Sequence, residues 1–212
     1  MGVFQSKDGT PVLLAMVQAI QEQKAYLGEV DGLIGDGDHG MNMNKGFTLY
    51  ESRHGQEKVT FSEGLDQLGT ILFTEIGGSM GPIYGTIFMD MASAGEEYEE
   101  IGVTELRTML EAGLSGLQEI VEAQVGDKTL VDTLSPAVMG LKEAEEKGLS
   151  FEEALQLMKE KAEEGKNSTK DMVAKFGRSS RLGERSRGVL DAGATSCCIL
   201  LQAMADGMLG TL

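Results

Sequence analysis

Three aspartates, Asp31, Asp36 and Asp38, fall within eight positions of one another in the stretch VDGLIGDGDHG. Gly32, Gly35 and Gly37 lie between them and let the backbone fold tightly enough for the carboxylates to converge. Carboxylates alone suit a hard, oxygen-seeking cation. Mg²⁺ is the most natural, because it is held by few protein carboxylates together with phosphate oxygens. A cation there could bridge to a nucleotide's phosphates, and a neighbouring helix N-terminus would add N–H donors and a favourable dipole end. Asp and Gly are also ordinary turn formers. Their convergence at a helix start, beside other Gly-rich loops, favours the metal reading.

Competing chemistries fit poorly. Gly35, Gly37 and Gly40 match G-x-G-x-x-G, but a dinucleotide fingerprint needs a strand before it and a βαβ unit around it. Here a helical stripe ending at Leu27 precedes the stretch and helices follow it. A calcium loop starting at Asp36 would have Met41 where Gly is required and Phe47 where Glu is required. No P-loop stretch occurs, and His39, His54, Cys197 and Cys198 lack zinc-ligand spacing. Cys197 and Cys198, being adjacent, read as small buried apolar residues in a reducing compartment.

The elements that must position these residues are helical. Apolar side chains recur at helical spacing in five stripes, such as Leu13, Met16, Val17, Ile20 and Leu27, or Leu106, Met109, Leu110, Leu117 and Val121. Thr60 with Glu63 and Ser150 with Glu153 form capping boxes. The pattern predicts eight helices over about 9–27, 39–54, 61–76, 80–95, 103–124, 128–147, 151–176 and 191–209. Pro136 should bend the sixth or unravel a turn of it. No alternating strand is expected, and residues 1–212 read as a single all-α domain with antiparallel neighbours. In such a bundle every second connection lies at the same end. GDGDHG, GGSMGP, GDKT and LDAGATS precede the second, fourth, sixth and eighth helices, so four Gly-rich loops should share one rim. HGQEKV, GEEYEEIG and KGLS, at the other end, read as ordinary turns.

The formal net charge of −16 argues against nucleic acid and against an anionic membrane surface, so a phosphate ligand must arrive with cations. No signal peptide or long apolar span is expected, which places the protein in the cytoplasm.

LGEVDGLIGDGDHGMNMNKGF (27–47), IGGSMGPIYGT (76–86), VGDKTLVD (125–132) and GRSSRLGERSRGVLDAGATS (177–196) together resemble the nucleotide-binding L subunit of dihydroxyacetone kinases. These stretches follow the family's order and spacing from the first loop to the last helix. The resemblance implies a barrel of eight antiparallel helices with a nucleotide, ADP or ATP, held at one rim through two Mg²⁺ ions. Asp31, Asp36 and Asp38 would coordinate the metals. His39, Gly40, Met41 and Asn42 would meet the nucleotide at the start of the second helix. Ser79 and Met80 belong to the next loop, where Ser79 would touch phosphate, and Leu130 would pack by the base. Arg178, Asp191, Ala192 and Gly193 would complete the site. Met80, Val121, Arg181 and Ala192 depart from the family's usual residues.

By the same resemblance, a K-type subunit holds the hydroxyketone. In the phosphoenolpyruvate-dependent form a phosphohistidine on an M-type subunit recharges bound ADP. The expected function is therefore phosphoryl transfer through the nucleotide, with no protein nucleophile. Alternatives are an ATP-exchanging subunit for another keto-sugar such as a tetrulose, or a nucleotide-loaded regulator of a transcriptional activator. At 212 residues there is no room for the substrate half, which fits a subunit.

Overall fold

The computed structural model describes residues 2–212. Among them are eight α-helices: α1 (Gly9–Gly32), α2 (His39–His54), α3 (Phe61–Glu75), α4 (Met80–Gly95), α5 (Val103–Ile120), α6 (Val131–Glu146), α7 (Phe151–Ser168) and α8 (Ala192–Leu209). Each packs on its successor in the chain, and α8 packs on α1, so the ring closes into a barrel. The predicted apolar stripes point inward. Leu13, Met16 and Ile20 of α1, Leu65 and Leu68 of α3, Leu106 and Met109 of α5, and Leu155 and Met158 of α7 are all fully buried. Both predicted capping boxes form: Thr60 and Ser150 each accept from the N–H three residues on, and Glu63 and Glu153 reach back.

Two expectations about composition need correction. A two-residue strand, β1 (Phe4–Gln5), pairs antiparallel with β2 (Glu100–Ile101). It ties the N-terminal segment to the α4–α5 connection, and Phe4 packs edge-on to Phe61 with ring centroids 5.7 Å apart. Such a pair is too short for period-two alternation to register. A long apolar span also exists, since α8 is long and apolar enough to cross a membrane. Its composition follows from its place in the barrel, where it packs against α1, α6 and α7 and buries Cys197, Leu200, Leu201, Met204 and Met208.

Helix ends differ from expectation on the side of the Gly-rich loops. α1 continues past Leu27 to Gly32, whereas α5 stops at Ile120, α6 starts only at Val131 and α7 stops at Ser168. The chain before α6 cannot be helical, because Lys128 adopts φ +62°. The buried Asp132 carboxylate organises this loop by accepting from Gly126 N at 2.6 Å and Thr129 N at 2.8 Å. Pro136 sits within α6 without unravelling a turn. It removes one N–H, the one that would have bonded the Asp132 carbonyl, and the rest of the ladder carries the helix through.

Candidate functional site

The connections before α2, α4, α6 and α8 contribute to one cavity of about 650 Å³, a size suited to a small-molecule ligand. The Gly-rich loops therefore share a rim, as the alternation of ends in an up-and-down barrel requires.

Asp31 stands in the last turn of α1, and Asp36 and Asp38 stand in the tight loop that follows. Gly37 takes φ +77° there, a conformation a β-carbon disfavours. The loop is pulled back onto α1 by Gly35 N donating to Asp31 O at 2.5 Å and His39 N donating to Asp31 Oδ2 at 3.2 Å. In consequence one carboxylate oxygen from each of Asp31, Asp36 and Asp38 lies within 4.8 Å of the others. Three convergent oxygen donors without sulfur or imidazole fit a hard divalent cation. The Arg178 guanidinium pairs with Asp36 from across the cavity.

Of the residues expected to meet a nucleotide, His39, Ser79, Met80, Leu130, Arg178, Asp191, Ala192 and Gly193 line this cavity with the three aspartates. Gly40, Met41 and Asn42 do not. Gly40 lies under α1, and Met41 is turned out at 59% exposure. Asn42 N bonds Asp38 O as the α2 ladder begins. Among the departures from the family pattern, Met80, Val121 and Ala192 line the cavity, while Arg181 is an exposed residue of the 3-10 stretch Arg178–Ser186.

Other lining residues escape sequence reasoning. Ile34, Ile83, Ile120 and Phe176 join Val121 in the cavity's apolar wall, and Lys128 and Thr129 also line it. Nothing in the sequence singles them out, and Lys128 falls at the predicted start of the sixth helix. Lys128 is buried, and its Nζ donates to the Thr169 carbonyl at 2.6 Å and to that of Val189. Burial pulls its ammonium below the usual lysine range, partly offset by the charge of Asp191.

Asp191 caps α8, accepting from Ala194 N at 2.7 Å, and burial pushes its carboxyl up to about 6. His39 is pulled down to about 4 by burial, against the nearby Asp31 charge, so its imidazole is neutral near pH 7. Its Nε2 meets Ser196 Oγ at 2.9 Å. Cys197 and Cys198 are buried, and desolvation pushes both thiols far up, which removes them as nucleophiles. The first residues of α2, α4 and α8 line the cavity, so the positive dipole ends of these helices lie at its wall. The site can bind an anion accompanied by a cation, hold both in a fixed geometry, and exclude water along its apolar wall.

Residues 33–206 match the DAK2 domain family. Over 188 residues the chain is 36% identical to the PEP-dependent dihydroxyacetone kinase 1, ADP-binding subunit DhaL, of Listeria innocua, covering 88% of this chain and 89% of that one. It is 37% identical over 184 residues to the PEP-dependent dihydroxyacetone kinase, ADP-binding subunit DhaL, of Escherichia coli, covering 86% and 88% respectively. The crystal structure of the dihydroxyacetone kinase from C. freundii in complex with AMP-PNP and Mg²⁺ is similar with a TM-score of 0.70. It is 21% identical and is matched over 93% of this chain and 33% of that one, a likeness of fold.

Proposed function

The chain belongs to the DAK2 domain family, and from that premise we propose that it is the nucleotide-binding, phosphoryl-transferring subunit of a dihydroxyacetone-type kinase. The observation that carries the reading is the convergence of Asp31, Asp36 and Asp38 on a cavity faced by helix N-termini. ADP is the resident nucleotide, as the names of the L-subunit relatives indicate for those proteins. Asp31, Asp36 and Asp38 would hold two Mg²⁺ ions. Bound there, magnesium supplies the positive charge that lets phosphate oxygens approach carboxylates.

The chain's own residues then position the nucleotide. Ser79, at the start of α4, would offer a hydrogen bond to phosphate, and the positive end of α2 would lie beside it. Arg178 exchanges its contact with Asp36 for a phosphate oxygen, a geometry its planar guanidinium favours. Leu130 packs beside the base, and Asp191, Ala192 and Gly193 close the site from the start of α8. No residue of the cavity is placed as a covalent nucleophile. Catalysis rests on positioning and on neutralising phosphate charge.

The hydroxyketone is held by a separate K-type subunit. A phosphohistidine on an M-type subunit rephosphorylates the bound ADP at the expense of phosphoenolpyruvate. The working unit is one nucleotide-binding domain acting in the cytoplasm.

Calorimetry of Mg-ADP binding tests the metal assignment. Asp36 sits in a loop and is exposed, so Asp36→Ala should abolish binding while leaving helical circular dichroism unchanged. An unaltered ADP affinity in the variant would sink the assignment. Mass spectrometry of the protein after dialysis should show retained ADP; ready loss would instead point to exchange with ATP.

A further inference from the structure

Lys128 combines two unfavourable features. It is a non-glycine residue at φ +62°, where a β-carbon crowds the backbone, and it buries an ammonium at 1% exposure. A position that needed only the backbone conformation would be served better by Gly. What Lys adds is a charged, three-donor head on a flexible stem.

That head reaches two carbonyls that are distant in sequence, Thr169 and Val189. They stand at the two ends of residues 170–188, the excursion that links α7 to α8. Gly188 N also meets Lys170 O at 2.7 Å, and Asp191 N meets Thr169 Oγ1 at 3.1 Å, so the base of the excursion is closed beside the ammonium. The preceding residue grips its first third. Asp127 O accepts from Lys175 N at 3.2 Å, and Asp127 Oδ1 pairs with Lys175 Nζ at 2.6 Å. Between these anchors the excursion has little regular structure. Its 3-10 stretch is broken at Gly183, and Gly177, Gly183 and Gly188 are all left-handed. Yet it brings Phe176, Arg178 and Ser179 to the cavity wall.

We propose that Lys128 is a positioning residue for nucleotide binding: its ammonium clasps both ends of residues 170–188 and thereby holds Arg178 and Ser179 at the cavity. Asp127 and Lys128 act as one latch, the carboxylate at Lys175 and the ammonium at the base of the excursion. The role in nucleotide binding rests on the function proposed above; the clasp itself does not.

The excursion supplies its own reporter, because Lys170, Lys175, Arg178, Arg181, Arg185 and Arg187 are all tryptic sites. Lys128→Gly removes the ammonium and relieves the backbone. It should speed tryptic cleavage within 170–187 by about tenfold and weaken Mg-ADP binding by a similar factor, with thermal unfolding of the barrel little changed. Lys128→Met should behave alike, and Lys128→Arg, which keeps a cation, should restore protection in part. Wild-type resistance in Lys128→Gly overturns the proposal. So does cleavage spread evenly along the chain, or faster cleavage of the excursion with Mg-ADP affinity unchanged. Should the Gly variant not fold, Met and Arg variants cut at equal rates would overturn it. Failure of the wild-type protein to bind Mg-ADP would refute the nucleotide reading while leaving the clasp to the proteolysis result.

Discussion

His39 Nε2 and Ser196 Oγ lie 2.9 Å apart and join the first residue of α2 to the fifth of α8 across the floor of the cavity. Ser196 Oγ also meets the Tyr84 hydroxyl at 2.7 Å and donates to the Gly193 carbonyl at 3.1 Å. One hydroxyl therefore links α2, α4 and α8. His39 and Gly193 line the cavity, whereas Tyr84 and Ser196 support them from below. Because Ser196 spends its one proton on the Gly193 carbonyl, the neutral imidazole donates to the hydroxyl through its Nε2–H and buries no net charge.

Ser196→Ala should destabilise the protein by about 1–3 kcal/mol in urea unfolding. Ser196 is fully buried, and its loss strips His39 Nε2 of that partner. Tyr84 keeps only a 3.4 Å contact with the Gly193 carbonyl. A variant as stable as the wild type would show that water repairs the gap and that the hydroxyl does not hold the three helices.

Gly40 is a matter of close approach. A β-carbon there would lie 2.1 Å from Lys24 O and 2.8 Å from Gly28 N, both backbone atoms of α1 that cannot rotate away. Gly40→Ala must push α2 off α1 and carry Asp38 and His39 with it. The expected loss is about 2 kcal/mol or more in denaturant unfolding. Gly77→Ala is the control, because a β-carbon there meets nothing within 4 Å. Equal stability of the two variants would contradict the packing.

The stripes and capping boxes make the helices legible because core burial and N-caps are written in residue type. The shared rim is legible because alternation of ends is a topological consequence of short connections. Asp31, Asp36 and Asp38 stand out because acids among glycines seldom serve a core. The helix ends next to the cavity are not legible. Ile120 and Val121 line the cavity, and Val121 continues the apolar α5 stripe although the helix has already ended at Ile120. Lys128 is hidden for another reason: the sign of φ is not encoded in a Lys, and the residue falls where the sixth helix is expected to begin. Ser196 and Tyr84 pass for ordinary helix residues, since their partners come from other helices.

Asp191 makes the stability of the nucleotide-free protein depend on pH. Burial raises its carboxyl from 3.8 to about 6, with Asp132 and Asp31 adding to the rise and the Ala194 N–H and Lys128 opposing it. The folded state thus binds this proton more tightly than the unfolded chain does. The resulting stabilisation is complete below about pH 4 and is lost as pH rises through about 6. Asn caps a helix about as well as Asp and cannot ionise. In EDTA at about pH 7.5, Asp191→Asn should therefore be more stable than the wild type, by up to about 3 kcal/mol and less where solvent relaxes around the carboxylate. The gain should shrink through about pH 6 and disappear near pH 4, where the wild-type carboxyl is already neutral. Urea unfolding of both proteins across this range decides the matter. A stability difference that does not change with pH would mean that Asp191 does not titrate there and that its environment is more polar than its burial implies.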